Sequence, residues 1–157
     1  MKEYFFWLVI ARLLIARVAG GNAKFFRESW YRKAQVSPLT PPGWVFAAMW
    51  PLNYVTSSLA AAIFASNSSG NARQGGLLLW FLQAIVTSVW TRIFGDLKRP
   101  DYALANLLLS WLLAIKTTAT FRKAAPANLW MIPLCLWLTL AAELNTEFVL
   151  RNRDQIG

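Results

Sequence analysis

Histidine is absent from this 157-residue chain, and cysteine occurs once, at Cys135. Those two gaps exclude an intrachain disulfide framework and the common Cys/His zinc spacings, so no metal and no cofactor is expected. Acid is scarce too: seven Asp and Glu stand against sixteen Lys and Arg, for a formal charge of +9. A basic excess can serve nucleic acid, but here the cations fall mostly between apolar runs instead of lining one polar face. They read as topology markers and lipid-headgroup contacts, and nucleic acid is not an expected partner. Strand alternation is missing as well, and the apolar runs are too long for barrel strands.

What the chain does have is apolar surface. Hydrophobic residues make up 57% of it and the mean hydropathy is +0.39, against roughly 45–50% apolar content in soluble domains. Five apolar stretches, about 4–20, 44–66, 76–95, 102–121 and 129–150, each approach the ~20 residues that a helix needs to cross a bilayer. The expected fold is an all-α membrane protein, one domain over 1–157, built as a bundle of five transmembrane helices with a long lid-like loop at 21–43. Pro51 and Pro133 fall inside expected spans, where neighbouring helices re-satisfy the freed carbonyls. The first stretch is read as a retained helix and not as a cleaved leader, because Arg12 and Arg17 interrupt it and no small-residue cleavage site follows.

Orientation follows from the flanking cations. With five spans, the amino-terminal face holds Lys2, Arg73, Arg122 and Lys123, whereas the opposite face holds Lys24, Arg27, Arg32, Lys33, Lys98, Arg99, Arg151 and Arg153. The positive-inside tendency then puts the long first loop and the carboxyl terminus in the cytoplasm and the amino terminus on the other side. Within the spans, Arg12 and Lys116 lie close enough to the outer ends to snorkel. Arg17, Arg92, Glu143 and Glu147 fall toward the cytoplasmic end, where an ionic cluster is expected and a proton relay is the sharper alternative.

Nine tryptophans are the most unusual feature. Trp7, Trp30, Trp44, Trp80 and Trp130 lie near span ends and suit the interfacial belt. Trp50, Trp90, Trp111 and Trp137 lie deeper, where an indole N–H must find a partner or face a cavity. Ser58, Ala62 and Ser66, with Ala84 and Ser88, form small-residue stripes of the kind that serve helix contacts within a bundle or between protomers.

Three stretches carry a resemblance. "WYRKAQVSPLTPPGWVFAAMWPLNY" resembles the first loop and second helix of the translocator protein family, also called tryptophan-rich sensory proteins, supplying Trp30-Tyr31, Pro41-Pro42, Trp44-Val45-Phe46, Trp50 and Tyr54 in register. "PLCLWLTLAAELN" is similar to a second family stretch through Pro133, Trp137 and Asn145, and "TSVWTRIF" to a third. The chain departs from the pattern at Val36-Ser37, Leu39, Thr87, Arg92 and Asn106. Thr146 and Phe148 leave the sterol-associated L/V-x-Y-x-R pattern without its tyrosine, which counts against cholesterol as a ligand.

The resemblance implies a pocket inside the bundle, covered by the first loop, that receives porphyrins and similar flat lipophilic ligands, in a receptor or transporter that commonly forms homodimers. It assigns ligand contacts to Trp50 and Trp137, with Trp44, Phe46, Ala47, Tyr54, Thr87, Trp90, Tyr102, Ala105, Leu109, Ala141, Leu144 and Asn145 around them. Small alanines at 47, 105 and 141 leave volume for a ligand or let helices approach closely. The implied alternative to binding is light- and oxygen-dependent porphyrin degradation at Trp50 and Trp137. A structural membrane protein without a ligand is the third reading. Prolines at the lid's end and large rings just beyond it suggest a rigid hinge beside a stacking wall.

Overall fold

Pro41 and Pro42 hold the chain extended up to Gly43, where a helix starts: Pro42 occupies the cap position with φ −55° and ψ 148°, and Val45 N–H donates to its carbonyl. Proline likewise opens two later helices at Pro100 and Pro133, in the first turn where the missing N–H is not needed. Pro133 therefore starts a helix and does not kink one. The computed structural model describes residues 1–21 and 23–155. Its α-helices are α1 (Lys2–Ala19), α2 (Ser29–Lys33), α3 (Gly43–Ser66), α4 (Gly70–Thr91), α5 (Pro100–Phe121) and α6 (Ile132–Arg151). A π-helical turn, Arg92–Asp96, extends α4, and a 3-10 turn, Ala127–Met131, leads into α6.

The expected bundle of five spanning helices with a long loop is corrected on two counts. The described residues form six α-helices, because segment 21–43 carries a 3-10 turn at Ala23–Arg27 and the short helix α2. Three helical stretches, Gly70–Asp96, Pro100–Ala124 and Ala127–Arg151, are long and apolar enough to cross a membrane. Lys2, Glu3, Arg12 and Arg17 charge α1 too heavily for that class. In α3 the apolar run is diluted by Asn53, Thr56, Ser57 and Ser58, all of which turn inward and are buried.

Helix α4 packs along α5, α1 lies against α3 and α4, and α6 joins α5 and α3. The closest approaches use small side chains. Ser58, Ala62, Ala84 and Ser88 are buried between helices of this same chain, and Ser58 Oγ reaches the Leu8 carbonyl at 3.4 Å. Apart from Ser66, which is exposed, the small-residue stripes therefore act within the chain. At the end away from the lid, Phe64 and Phe121 stack at 4.4 Å. A Cβ at Gly76 would fall 2.2 Å from the Phe64 ring, so that stack needs glycine.

Two depth expectations change. Arg12 does not snorkel: it is 1% exposed and points into the helix packing, whereas Lys116 is exposed. Trp80 is no interfacial indole but a fully buried core residue. Trp7, Trp44 and Trp130 are exposed as a belt requires.

Candidate ligand-binding site

The segment before α3 folds back over one end of the helices, and its sequence explains how it stays there. Phe25 and Phe26, an apolar pair between Lys24 and Arg27, stack at 4.2 Å. Phe25 is buried against Phe94, with centroids 5.2 Å apart, and against the edge of Trp90. Gly95 makes the seat for it, since a Cβ there would lie 2.5 Å from Phe25 Cδ1. Tyr31 of α2 lies flat on Phe148 of α6, at 5.8 Å and 8°. Burial pushes the Tyr31 phenol above its ordinary pKa.

Polar contacts fix the lid's far end. Asn152, just past α6, accepts the Gln35 N–H at 2.8 Å and returns its own Nδ2–H to the Gln35 carbonyl at 2.9 Å. A turn at 37–40 follows, closed by Thr40 N–H to the Ser37 carbonyl, with Ser37 Oγ accepting the Leu39 N–H. Lys98 in the α4–α5 turn pairs with Glu28 of the lid at 3.4 Å, both exposed. Such a surface pair adds little energy but marks the contact.

Beneath the lid lies a cleft lined by Phe25, Phe26, Tyr31, Val36, Ser37, Thr40, Phe46, Trp50, Trp90, Phe94, Ala141, Leu144, Asn145 and Phe148. Its empty space is about 500 Å³, counting the part open to the surface. Rings close it. Trp50 of α3 meets Trp137 of α6 edge to face at 6.1 Å, and Trp137 meets Phe46 at 5.4 Å. Trp90 and Phe94 stack at 5.0 Å, one turn apart along the end of α4.

The polar fittings are few and specific. Trp90 Nε1–H donates to Asn145 Oδ1 at 3.0 Å, and Asn145 Nδ2–H donates to the Pro100 carbonyl at 2.8 Å. One amide thus orients an indole and ties α6 to the start of α5. Trp137 Nε1–H, buried behind the wall, has no hydrogen-bond partner.

Of the residues singled out in the sequence, Phe46, Trp50, Trp90, Ala141, Leu144 and Asn145 line this cleft, and Trp137 backs it. Tyr54 and Thr87 line a neighbouring cavity between α1, α3 and α4 instead. Trp44, at 72% exposure, and Tyr102, at 58%, face outward, and so do Ala47, Ala105 and Leu109. Arg99 lies over the Tyr102 ring at 4.2 Å on the surface. The four charges expected to cluster do not: Glu147 pairs with Arg151 at 2.9 Å, Glu143 is exposed in a groove between α5 and α6, Arg92 is exposed at the end of α4, and Arg17 borders a cleft with Asp96. In that groove Trp111 Nε1–H donates to Thr139 Oγ1 at 2.9 Å, so this deep indole faces outward as well.

Sequence reasoning missed the lid's own rings and Phe94 and Phe148. The Phe25-Phe26 pair inside a basic stretch was the available signal, since adjacent exposed phenylalanines would have no reason to be there.

Against known proteins, a model of the TspO/MBR family matches residues 5–151. A tryptophan-rich protein TspO of Chlorobaculum tepidum is 27% identical over 148 residues, 92% of this chain and 94% of that protein. Protein CrtK of Rhodobacter capsulatus is 31% identical over 134 residues, 81% of each chain. A translocator protein of Ovis aries is 27% identical over 119 residues, 74% of this chain and 70% of its own.

Proposed function

This chain belongs to the TspO/MBR family, and we propose that it captures tetrapyrroles and similar flat lipophilic molecules in the aromatic cleft beneath its lid. It is an integral membrane protein, by its family and its apolar helices. The observation that carries the proposal is the convergence of Trp50, Trp90 and Trp137, from three different helices, within 6.5 Å of one another in sequence of contact. Indoles offer large planar faces, and each well-placed aromatic pair adds about 0.5–1.5 kcal/mol beyond area burial. Asn145 and the Ser37 turn supply the few polar groups that fix orientation in an otherwise apolar site.

The cleft is narrow, so a macrocycle enters only when the lid lifts and the rings part. The lid is built for that: its seat includes a set of ring contacts, the exposed Lys98–Glu28 pair and the Asn152 clasp. Ligand capture is then coupled to lid motion. In the membrane the lid, the Lys98–Arg99 turn and the carboxyl-terminal end face the cytoplasm, which their shared basic charge favours. Two copies associate through outer helix faces, since the small-residue stripes are used internally. Thr146 and Phe148, in place of the sterol-associated tyrosine pattern, count against cholesterol.

Titrating the detergent-solubilised chain with protoporphyrin while following tryptophan emission tests the proposal. Saturable quenching, weakened at least about tenfold in Trp50→Ala, supports it; emission that never saturates supports a structural protein without a ligand.

A second reading has its own support. Trp50 touches both Trp137 and Trp90, a contiguous path along which an oxidising equivalent can leave a photoexcited guest. Light- and oxygen-dependent loss of porphyrin absorbance, abolished in a Trp50→Phe, Trp137→Phe variant, tests for degradation.

A further inference from the structure

Arg12 lies near the middle of α1 and is 1% exposed. A cation there is costly unless something compensates it. Nη1–H donates to Ser88 Oγ at 2.8 Å, and the guanidinium carbon stands 4.0 Å from the centroid of Tyr54. Ser88 spends its own hydrogen on the Ala84 carbonyl at 2.8 Å. Nε and Nη2 are buried from solvent and have no hydrogen-bond partner among the described residues. None of the three ion pairs among the described residues includes Arg12.

The two orphan nitrogens share one edge of the guanidinium. Nε–H and the outer Nη2–H run parallel there, and this edge matches the two oxygens of a carboxylate. What Arg12 lacks is an acid: none of those ion pairs among the described residues gives it one.

Its two contacts, Ser88 and Tyr54, also line the second cavity, between α1, α3 and α4. That cavity holds about 550 Å³ counting its open part, comparable to the cleft under the lid. Trp50 and Trp90 line both spaces. They form a shared partition, with ring centroids 6.5 Å apart and planes tilted by 30°.

We propose that the second cavity is a carboxylate subsite: it seats the acid group of a planar apolar guest whose ring lies against Trp50 and Trp90, and Arg12 binds that acid through Nε and Nη2. This rests on the tetrapyrrole-capture reading and narrows it to guests that carry an acid. Arg12 touches the cavity only through Ser88 and Tyr54, so binding requires the Tyr54 ring to move aside and the guanidinium to turn its free edge into the space. An acid that docks there ends the isolation of a buried charge, so recognition and charge compensation are one event.

The test compares protoporphyrin, a dicarboxylic acid, with its dimethyl ester, by tryptophan quenching on the full chain in detergent at neutral pH. In the wild type the diacid binds about tenfold or more tightly than the ester, as a charge-assisted bidentate pair requires. Arg12→Met brings the diacid-to-ester ratio near one, and Arg12→Lys restores part of the preference. Equal affinity of diacid and ester for the wild type overturns the subsite but leaves the cleft intact, and so does a preference that survives Arg12→Met. Failure of both compounds to bind overturns the cleft reading and the subsite together. Thermal melting keeps the variants interpretable: Arg12→Met melts at or above the wild type, because it removes an uncompensated buried charge. Should it fail to fold, Arg12→Gln takes its place, with the same loss of preference expected and a surviving preference again overturning the subsite.

Discussion

Trp50 of α3 and Trp137 of α6 meet edge to face, 6.1 Å between ring centroids and at 88°. That contact brings two distant stretches of sequence to one wall, directly under a lid that a third stretch provides. It also sets the cleft's width, because neither ring can turn without displacing the other or Phe46.

Gly95→Ala should unseat the lid. Its Cβ would stand 2.5 Å from Phe25 Cδ1 and 3.0 Å from Cγ, an overlap that only movement of a buried ring relieves. Overpacking of this kind costs about 1–3 kcal/mol. Limited proteolysis in segment 23–42 should speed up severalfold, while the rest of the chain stays resistant.

Asn152→Ala removes the amide clasp. Gln35 loses both of its backbone partners, and the Phe148 carbonyl loses the Nδ2–H at 2.8 Å. The expected loss is about 1–3 kcal/mol of lid stability. Hydrogen exchange at the Gln35 amide should rise by roughly one to two orders of magnitude.

Much of this site was legible in the sequence, and the limits have physical causes. Trp50, Trp90, Trp137 and Asn145 were marked by depth or by a family pattern, and all four converge on one cleft. Trp44, Ala47, Tyr102, Ala105 and Leu109 were placed around those rings through the family resemblance, yet rotation about the helix axis turns them outward. A hydropathy run gives length, but it carries no phase when every face is apolar. For α3 the phase was written in its polar residues: Asn53, Ser57 and Ser58 mark the inward side. The lid was read as a loop because Tyr31 and Phe25 hold it by long-range ring contacts that local pattern does not encode. Arg12 was expected to reach the headgroups, and only the placement of Ser88 and Tyr54 reveals that it turns inward.

Asn145→Leu should misorient Trp90. The substitution leaves the Trp90 N–H and the Pro100 carbonyl without their partner, at a cost of about 1–3 kcal/mol for each unsatisfied buried group. Melting in detergent should fall accordingly. Porphyrin affinity should drop even where the variant remains folded, because the partition indole no longer holds its plane.

Alkaline pH should loosen the lid through Tyr31. Burial raises its folded-state pKa above the unfolded phenol value of 10.0. The stabilising contribution is therefore complete below that value and is lost as pH climbs through the raised one. Tyr31→Phe keeps the ring on Phe148 and removes the ionisable group. Proteolysis of the lid in the variant should stay flat over the pH range in which the wild type becomes susceptible.

A crystal structure of the full chain with protoporphyrin bound tests the cleft most directly. Density for the macrocycle should lie under a displaced lid, with its face against Trp50 and its edge toward Asn145. Density confined to the outward faces, beside Trp44 and Tyr102 or in the groove at Trp111, with Trp50 and Trp137 still in contact, would contradict it.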